Sequence, residues 1–238
     1  RASAWIANLV ESQRGTGSSR GILRRVAMTC TTSIIRAAIR KPGTTPPMNS
    51  APTEAPETMA YRYDPERLSF DEAALIEPAA NGYAAVDLCH VRPGEHVVIV
   101  GPGPIGLFAL QAARLKTPAT LTVVGTRPER LALATRLGAT HTVNLREADG
   151  FEAVMDITGG RGADALVLAV ATPEAWQLGG RVIAKYGRFA VEAIPSPDDC
   201  LWPVSVFDFT YKALTYVGVC GYTGDHFQMA LDLAQAGV

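Results

Sequence analysis

The chain has 238 residues, 47% of them apolar and 19% charged, with 22 Lys and Arg against 23 Asp and Glu. That composition fits one or two globular domains and excludes a disordered tail, a collagen and a disulfide-stapled miniprotein. Cys30, Cys89, Cys200 and Cys220 are too scattered for a disulfide framework or a CxxC zinc clip, and a net charge of −1 gives no reason to expect nucleic acid or a membrane.

The charge is unevenly spread. Residues 1–47 carry eight basic side chains and one acid, Glu11, which leaves the rest of the chain at net −8. Residues 1–66 are expected to be an irregular segment and linker, and 67–238 a folded domain. Met28 is the first Met, and Met48 opens a Pro- and Ala-rich leader. For residues 1–47 the preferred reading is sequence upstream of the native protein; the alternative is an organellar transit segment. The longest apolar tract, 97–113, is broken by Gly101, Pro102, Gly103, Pro104 and Gly106, so no membrane span is expected and a soluble, cytoplasmic protein is the simplest setting.

Ser69-Phe70-Asp71-Glu72 has the S-x-x-E form of a capping box, which predicts a helix running to about Leu88 with a new turn or kink at Pro78. From Glu95 onward short β-branched runs at 96–100, 121–124, 165–170, 189–191 and 215–219, and a weaker one at 140–143, alternate with helical stretches at 105–115, 128–137, 152–157, 172–183 and 224–237. Continuous apolar strands spaced by helices predict an α/β fold, a doubly wound parallel sheet of six strands.

The first strand runs directly into Gly101-Pro102-Gly103-Pro104-Ile105-Gly106, a G-x-G-x-x-G turn that opens an apolar helix. Gly101 permits the tight turn, Gly103 lets backbone approach a pyrophosphate, and Gly106 lets helix and strand pack closely. The pyrophosphate then meets the free N–H groups at the helix N-terminus, beside Pro104 and Ile105. A glycine turn alone can be purely structural. Its place between a strand and a helix is what favours dinucleotide binding.

About 20 residues further on, an NAD enzyme places an acid on the ribose 2′-OH, whereas NADP calls for Arg. Here the chain reads Gly125-Thr126-Arg127-Pro128, with Arg130 one turn beyond. Gly125 is expected to leave room for the 2′-phosphate, Thr126 to offer a hydroxyl, and Arg127 a charge-assisted fork. NADP is therefore expected over NAD, the plain alternative being that both arginines are solvated helix-start charges. Replacing Arg127 by Ala together with Gly125 by Asp is expected to reverse the preference.

Ser69 to Pro78, Pro93-Gly94-Glu95, the stretch 98–107, Arg130-Leu131 to Leu137-Gly138-Ala139, 156–164 and 218–222 together resemble the medium-chain dehydrogenase/reductase superfamily. The zinc-type alcohol, polyol and threonine dehydrogenase branch is the most similar, and the resemblance spans about residues 65–238. The Gly125-Thr126-Arg127-Pro128 turn resembles the Gly-Ser-Arg-Pro turn of NADP-dependent secondary alcohol dehydrogenases. The resemblance implies a hydride-transferring oxidoreductase acting on an alcohol or polyol, a Rossmann cofactor domain, and a β-rich catalytic domain holding zinc. Most of that second domain is absent, since the chain has no Gly-His-Glu segment and no group of four close cysteines. A cofactor-domain fragment, truncated at both ends, is the expectation.

By the same resemblance Glu77 is a candidate zinc ligand, although one carboxylate cannot make a three-ligand site; the plain alternative is a helix residue facing solvent or an Arg. Strand ends place Val170, Ala171, Val191, Glu192, Val219 and Gly221 at the ligand-binding edge, and the resemblance implies that the later loops approach ribose and nicotinamide. His96 is expected in or beside a strand, and His90, His141 and His226 in loops or at helix ends. Cys220 is expected to be buried and inert, and Trp176 and Trp202 to pack. The last strand is expected at a sheet edge, and the resemblance implies a homodimer paired across it about a twofold axis. Two other readings stand beside the leading one: a zinc-free quinone or enone reductase, and an inactive NADP-binding module.

Overall fold

The computed structural model of the protein describes residues 61–237 except Pro197 and Asp199. The expectations for residues 1–47 lie outside the described residues. The chain divides into two compact units, one of residues 61–73 with 223–237, the other of residues 74–222.

In the first unit, helix α1 (Phe70–Ala73) starts at the expected capping box. Ser69 donates from its backbone N–H to Glu72 Oε2 at 2.7 Å and from its hydroxyl at 2.8 Å, while Glu72 N–H returns to Ser69 Oγ at 3.3 Å. Helix α8 (Gly224–Ala236) begins with a second box, in which Thr223 caps His226 and the His226 ring accepts from Thr223 N–H at 3.1 Å. Tyr61 packs on Phe227 with ring centroids 4.2 Å apart, and Asp64 N–H donates to Gln235 Oε1 at 2.8 Å.

The second unit opens with α2 (Ile76–Leu88). The expected continuous helix is therefore broken before Ile76, upstream of Pro78. Proline has no N–H, and its ring clashes with the carbonyl four residues earlier, here Ala74. A helix restarting at Ile76 places Pro78 in the first turn, where no N–H is needed.

The strands are β1 (His96–Val100), β2 (Thr120–Gly125), β3 (His141–Asn144), β4 (Ala163–Leu168), β5 (Ile183–Val191) and β6 (Thr215–Gly218). Helices α3 (Pro104–Arg114), α4 (Pro128–Arg136), α5 (Gly150–Ile157) and α6 (Pro173–Val182) alternate with them. All pairings are parallel, in the order β3-β2-β1-β4-β5-β6. This is the expected six-stranded doubly wound sheet, with its switch point between β1 and β4 and β6 at an edge.

Val98 and Val100 pack with Val154 of α5 and Val182 of α6 in one core cluster, and the pleat turns Val97 and Ile99 to the other face. Gly82 of α2 lies against α3 so closely that a Cβ there would stand 2.6 Å from Ala109 N.

Several boundaries differ from expectation. β4 ends at Leu168 rather than 170, because Ala169 N–H bonds across to Val100 O and the chain then leaves the sheet. β5 starts six residues early, with a register shift against β4 around Ala163 and Ala165 and a left-handed Tyr186 at φ 63°. α5 starts at Gly150, two residues early, because Asp149 accepts from the N–H groups of Phe151 and Glu152. His141 opens β3 rather than lying in a loop or at a helix end. A short helix, α7 (Val206–Tyr211), was not expected; Ser205 caps it through Asp208 N–H at 3.1 Å.

Candidate cofactor site

The sheet register lines up the carboxyl ends of the strands. Val143 pairs with Val124, Val124 with Val100, Val100 with Leu168, Leu168 with Val191 and Val191 with Gly218. The residues one or two positions beyond this row therefore share one edge: Gly101, Thr126, Val170, Glu192 and Val219. Gly125 forms the last rung of β2. Ligands of open parallel sheets bind at this edge, beside the switch point.

The turn after β1 is built as its sequence requires. Gly101 has φ 102°, a conformation open to glycine, and its N–H bonds to Val124 O at 2.9 Å. A Cβ on Gly106 would stand 2.0 Å from Gly101 O, so only glycine lets α3 start this close to the strand. A Cβ on Gly103 would meet nothing within 4 Å, so the backbone there borders open space. Gly103 is the N-cap of α3 and makes no side-chain cap, with Pro104 at the first helical position. Free N–H groups, the positive end of the helix and an open approach together fit a pyrophosphate.

At the tip of β2, Thr126 and Arg127 are exposed and Arg130 is half-buried. Arg127 is the N-cap of α4 in an extended conformation, with Pro128 following. Among the described residues neither guanidinium forms an ion pair. The room expected at Gly125 is not there: a Cβ on Gly125 would lie 2.6 Å from Pro102 Cδ and 2.7 Å from its Cγ. The buried Pro102 ring already fills that space.

On the other side of the switch point, Val170 is half-buried, Ala171 exposed, Val191 half-buried, Val219 buried and Gly221 exposed with φ 76°. Val219 N–H bonds to Val191 O at 2.9 Å, which ties the two loops together. Glu192, the residue directly after β5, lies at the same edge. It is 8% exposed, and its Oε2 is buried without a hydrogen-bond partner among the described residues. Burial, and after it the nearby Glu77 carboxylate, push its carboxyl up to about 8. Its backbone N–H bonds to Leu168 O at 3.0 Å, which fixes it at the edge.

Glu77 is half-buried in the first turn of α2 and accepts from Asn81 Nδ2 at 2.9 Å. Its carboxylate thus meets an amide and lies near a second acid, Glu192. No sequence motif joins Glu77 to Glu192; only the fold brings a helix start and a strand end together. Among the described residues no three His, Cys, Asp or Glu side chains converge on a metal position. The described residues therefore do not fit a resident zinc, which takes at least three protein ligands.

Cys220 is exposed, not buried as expected, because β6 ends at Gly218 and places it in the loop beyond. Among the described residues the buried thiol is Cys89, whose Sγ–H points to Arg188 O at 3.3 Å. Burial pushes it up to about 11, against the lowering effect of Arg188. Trp176 and Trp202 pack as expected, 5.9 Å apart, with Trp176 also 5.2 Å from Phe189 and donating to Pro203 O at 2.8 Å. Among the described residues no helix is long and apolar enough to cross a membrane.

A doubly wound parallel sheet with a glycine turn at its switch point defines a Rossmann dinucleotide-binding fold. The zinc-binding dehydrogenase family model matches residues 104–236, and the chain belongs to that family. It is 37% identical over 162 residues to the sorbitol dehydrogenase of Bacillus subtilis, covering 68% of this chain and 45% of the relative. An alcohol dehydrogenase structure from Thermotoga maritima superposes with a TM-score of 0.67 at 31% identity, covering 72% of this chain and 48% of that one. A zinc-binding dehydrogenase structure from Sinorhizobium meliloti 1021 bound to NADP superposes with a TM-score of 0.65 at 27% identity, covering 69% and 48%. The chain thus spans about half the length of the relatives it matches.

Proposed function

We propose that residues 67–238 form the cofactor-binding domain of an NADP-preferring, zinc-type alcohol or polyol dehydrogenase. The observation that carries this reading is the tip of β2, where no acid stands and Arg127 is exposed at a helix start without an ion pair among the described residues. A guanidinium so placed suits the 2′-phosphate of NADP and gives a bare ribose diol no acceptor. The NADP-bound relative from Sinorhizobium meliloti is consistent with that preference.

In this reading Gly101, Gly103 and Gly106 bring the backbone of α3 against the pyrophosphate, with Pro104 and Ile105 in its first turn. Thr126, Arg127 and Arg130 bind the adenosine side, and Val170, Ala171, Val191, Val219 and Gly221 border ribose and nicotinamide. When bound, the cofactor supplies the nicotinamide carbon that accepts or returns a hydride. The chain's own residues hold and orient it at the edge of the sheet. Glu77 offers a carboxylate toward zinc in the longer enzyme, whose other ligands are not among the described residues. The edge strand β6 offers its outer backbone edge to a twofold partner, in a cytoplasmic homodimer.

Titration with NADPH and NADH, followed by nicotinamide fluorescence and melting temperature, tests the cofactor reading. Tighter binding of NADPH is expected. No response to either nucleotide would overturn the dinucleotide reading, and an equal response would overturn the NADP preference. Alcohol-dependent NADPH formation by the full-length enzyme tests the activity; cofactor binding without turnover would favour an inactive binding module.

A further inference from the structure

The glycine at the tip of β2 is held there by a residue on another loop. Gly125 is not among the glycines with positive φ, so its backbone admits any side chain. What excludes one is space. A Cβ at 125 would stand 2.6 Å from Pro102 Cδ and 2.7 Å from Pro102 Cγ, with Leu131 Cδ2 next at 3.6 Å. Real Cβ atoms do not approach carbon so closely, so something must move.

A flexible side chain would swing away, but proline cannot. Its ring is closed onto the backbone, so a change of pucker shifts Cγ only slightly and leaves Cδ, bonded to the backbone nitrogen, in place. The backbone on either side is also fixed. Gly101 N–H is bonded to Val124 O, and Gly103 N–H to Gly101 O, each at 2.9 Å. Pro102 is buried between β1 and the start of α3, and retreat would tear the phosphate turn itself.

We propose that Pro102, within the phosphate turn, is a specificity-determining residue: by filling the space over Gly125 it bars an acidic side chain from the tip of β2 and leaves ribose discrimination to Arg127. The proposal rests on the NADP reading above and adds a mechanism to it. Two functions of one turn are thereby linked, since the residue between the first two glycines acts on the neighbouring strand. Pro102 is a positioning residue here, acting through what it prevents at 125.

The geometry also says how the block is lifted. The third-nearest atom to the Cβ position is Leu131 Cδ2 at 3.6 Å, so Pro102 Cβ lies no closer than that. Pro102→Ala removes both offending carbons and keeps the one that does not interfere.

The test is a cycle of Gly125→Asp, Pro102→Ala and the double variant, read by melting temperature and by the ratio of NADPH to NADH dissociation constants, with Gly125→Ala and P102A/G125A as a milder pair. Gly125→Asp and Gly125→Ala should each lower the melting temperature, and Pro102→Ala should recover most of the loss in both pairs. In P102A/G125D the dissociation-constant ratio should move at least tenfold toward NADH, while Gly125→Asp alone should gain little NADH binding. The proposal is overturned if Gly125→Asp alone switches preference without thermal cost, or if Pro102→Ala recovers neither pair. It is also overturned if the recovered double variant keeps the wild-type ratio. Failure of the NADP reading shows separately, as a wild-type chain that favours NADH, and leaves the coupling in melting temperature to be judged by itself.

Discussion

The carbonyl oxygen of Gly101 stands 2.0 Å from the point where a Cβ on Gly106 would be, so strand β1 and helix α3 meet through two glycines with no space for a third carbon. Neither partner is a side chain that could turn aside. Gly106→Ala must therefore push the helix off the strand, at about 2–4 kcal/mol. Urea denaturation should show that loss, and the variant should no longer respond to NADPH. A variant of wild-type stability would contradict the close approach.

Glu192 leads to a pH prediction. Its folded carboxyl is raised from the ordinary 4.5 to about 8, so between those values the folded chain keeps a proton that the unfolded chain has released. Stability from this group is fully present below 4.5 and is lost as pH rises toward 8. Glu192→Gln removes the titration, and the variant should be more stable than wild type at pH 8, by roughly 2–4 kcal/mol once solvent screening is allowed for, with little difference at pH 4.5. Denaturation midpoints at the two pH values decide it; a variant that gains nothing on going from pH 4.5 to 8 counts against a buried acid.

Arg127 should matter to one cofactor and not the other. Losing a charge-assisted bond to phosphate costs about 1.5–3 kcal/mol, or roughly 10- to 100-fold in affinity. Arg127→Ala should weaken NADPH by that factor and leave NADH nearly untouched, as measured by fluorescence titration. Equal weakening of both would place the guanidinium elsewhere than the 2′-phosphate.

The thiols should separate by reactivity. Cys89 is buried and pushed up to about 11, so almost none of it is thiolate at pH 8, whereas Cys200 and Cys220 are exposed. Iodoacetamide treatment of the folded chain, read by peptide mass spectrometry, should label Cys200 and Cys220 and spare Cys89 until denaturant is added. Early labelling of Cys89 would mean that its packing against β4 and β5 opens readily.

The sequence alone was enough for the sheet, because each element carries its own local signal. Apolar β-branched runs make buried strands, and Ser69 with Glu72 makes a cap from neighbours three residues apart. The G-x-G-x-x-G turn is legible for the same reason, since each glycine answers a constraint within a few residues along the chain. Where such signals are weak, the element bounds are set by neighbours. β5 begins at Ile183 because β4 lies beside it, and α7 rests on one Ser205 cap that is visible only once sought.

What the tertiary structure alone decided are relations between residues far apart in sequence. Pro102 and Gly125 come from different strand–helix turns, and Glu77 and Glu192 from a helix start and a strand end 115 positions later. Burial of a carboxyl, the filling of a space by a ring and the exposure of Cys220 all depend on what the fold places next to a residue. Periodicity records which way a side chain faces, while packing fixes what it meets there.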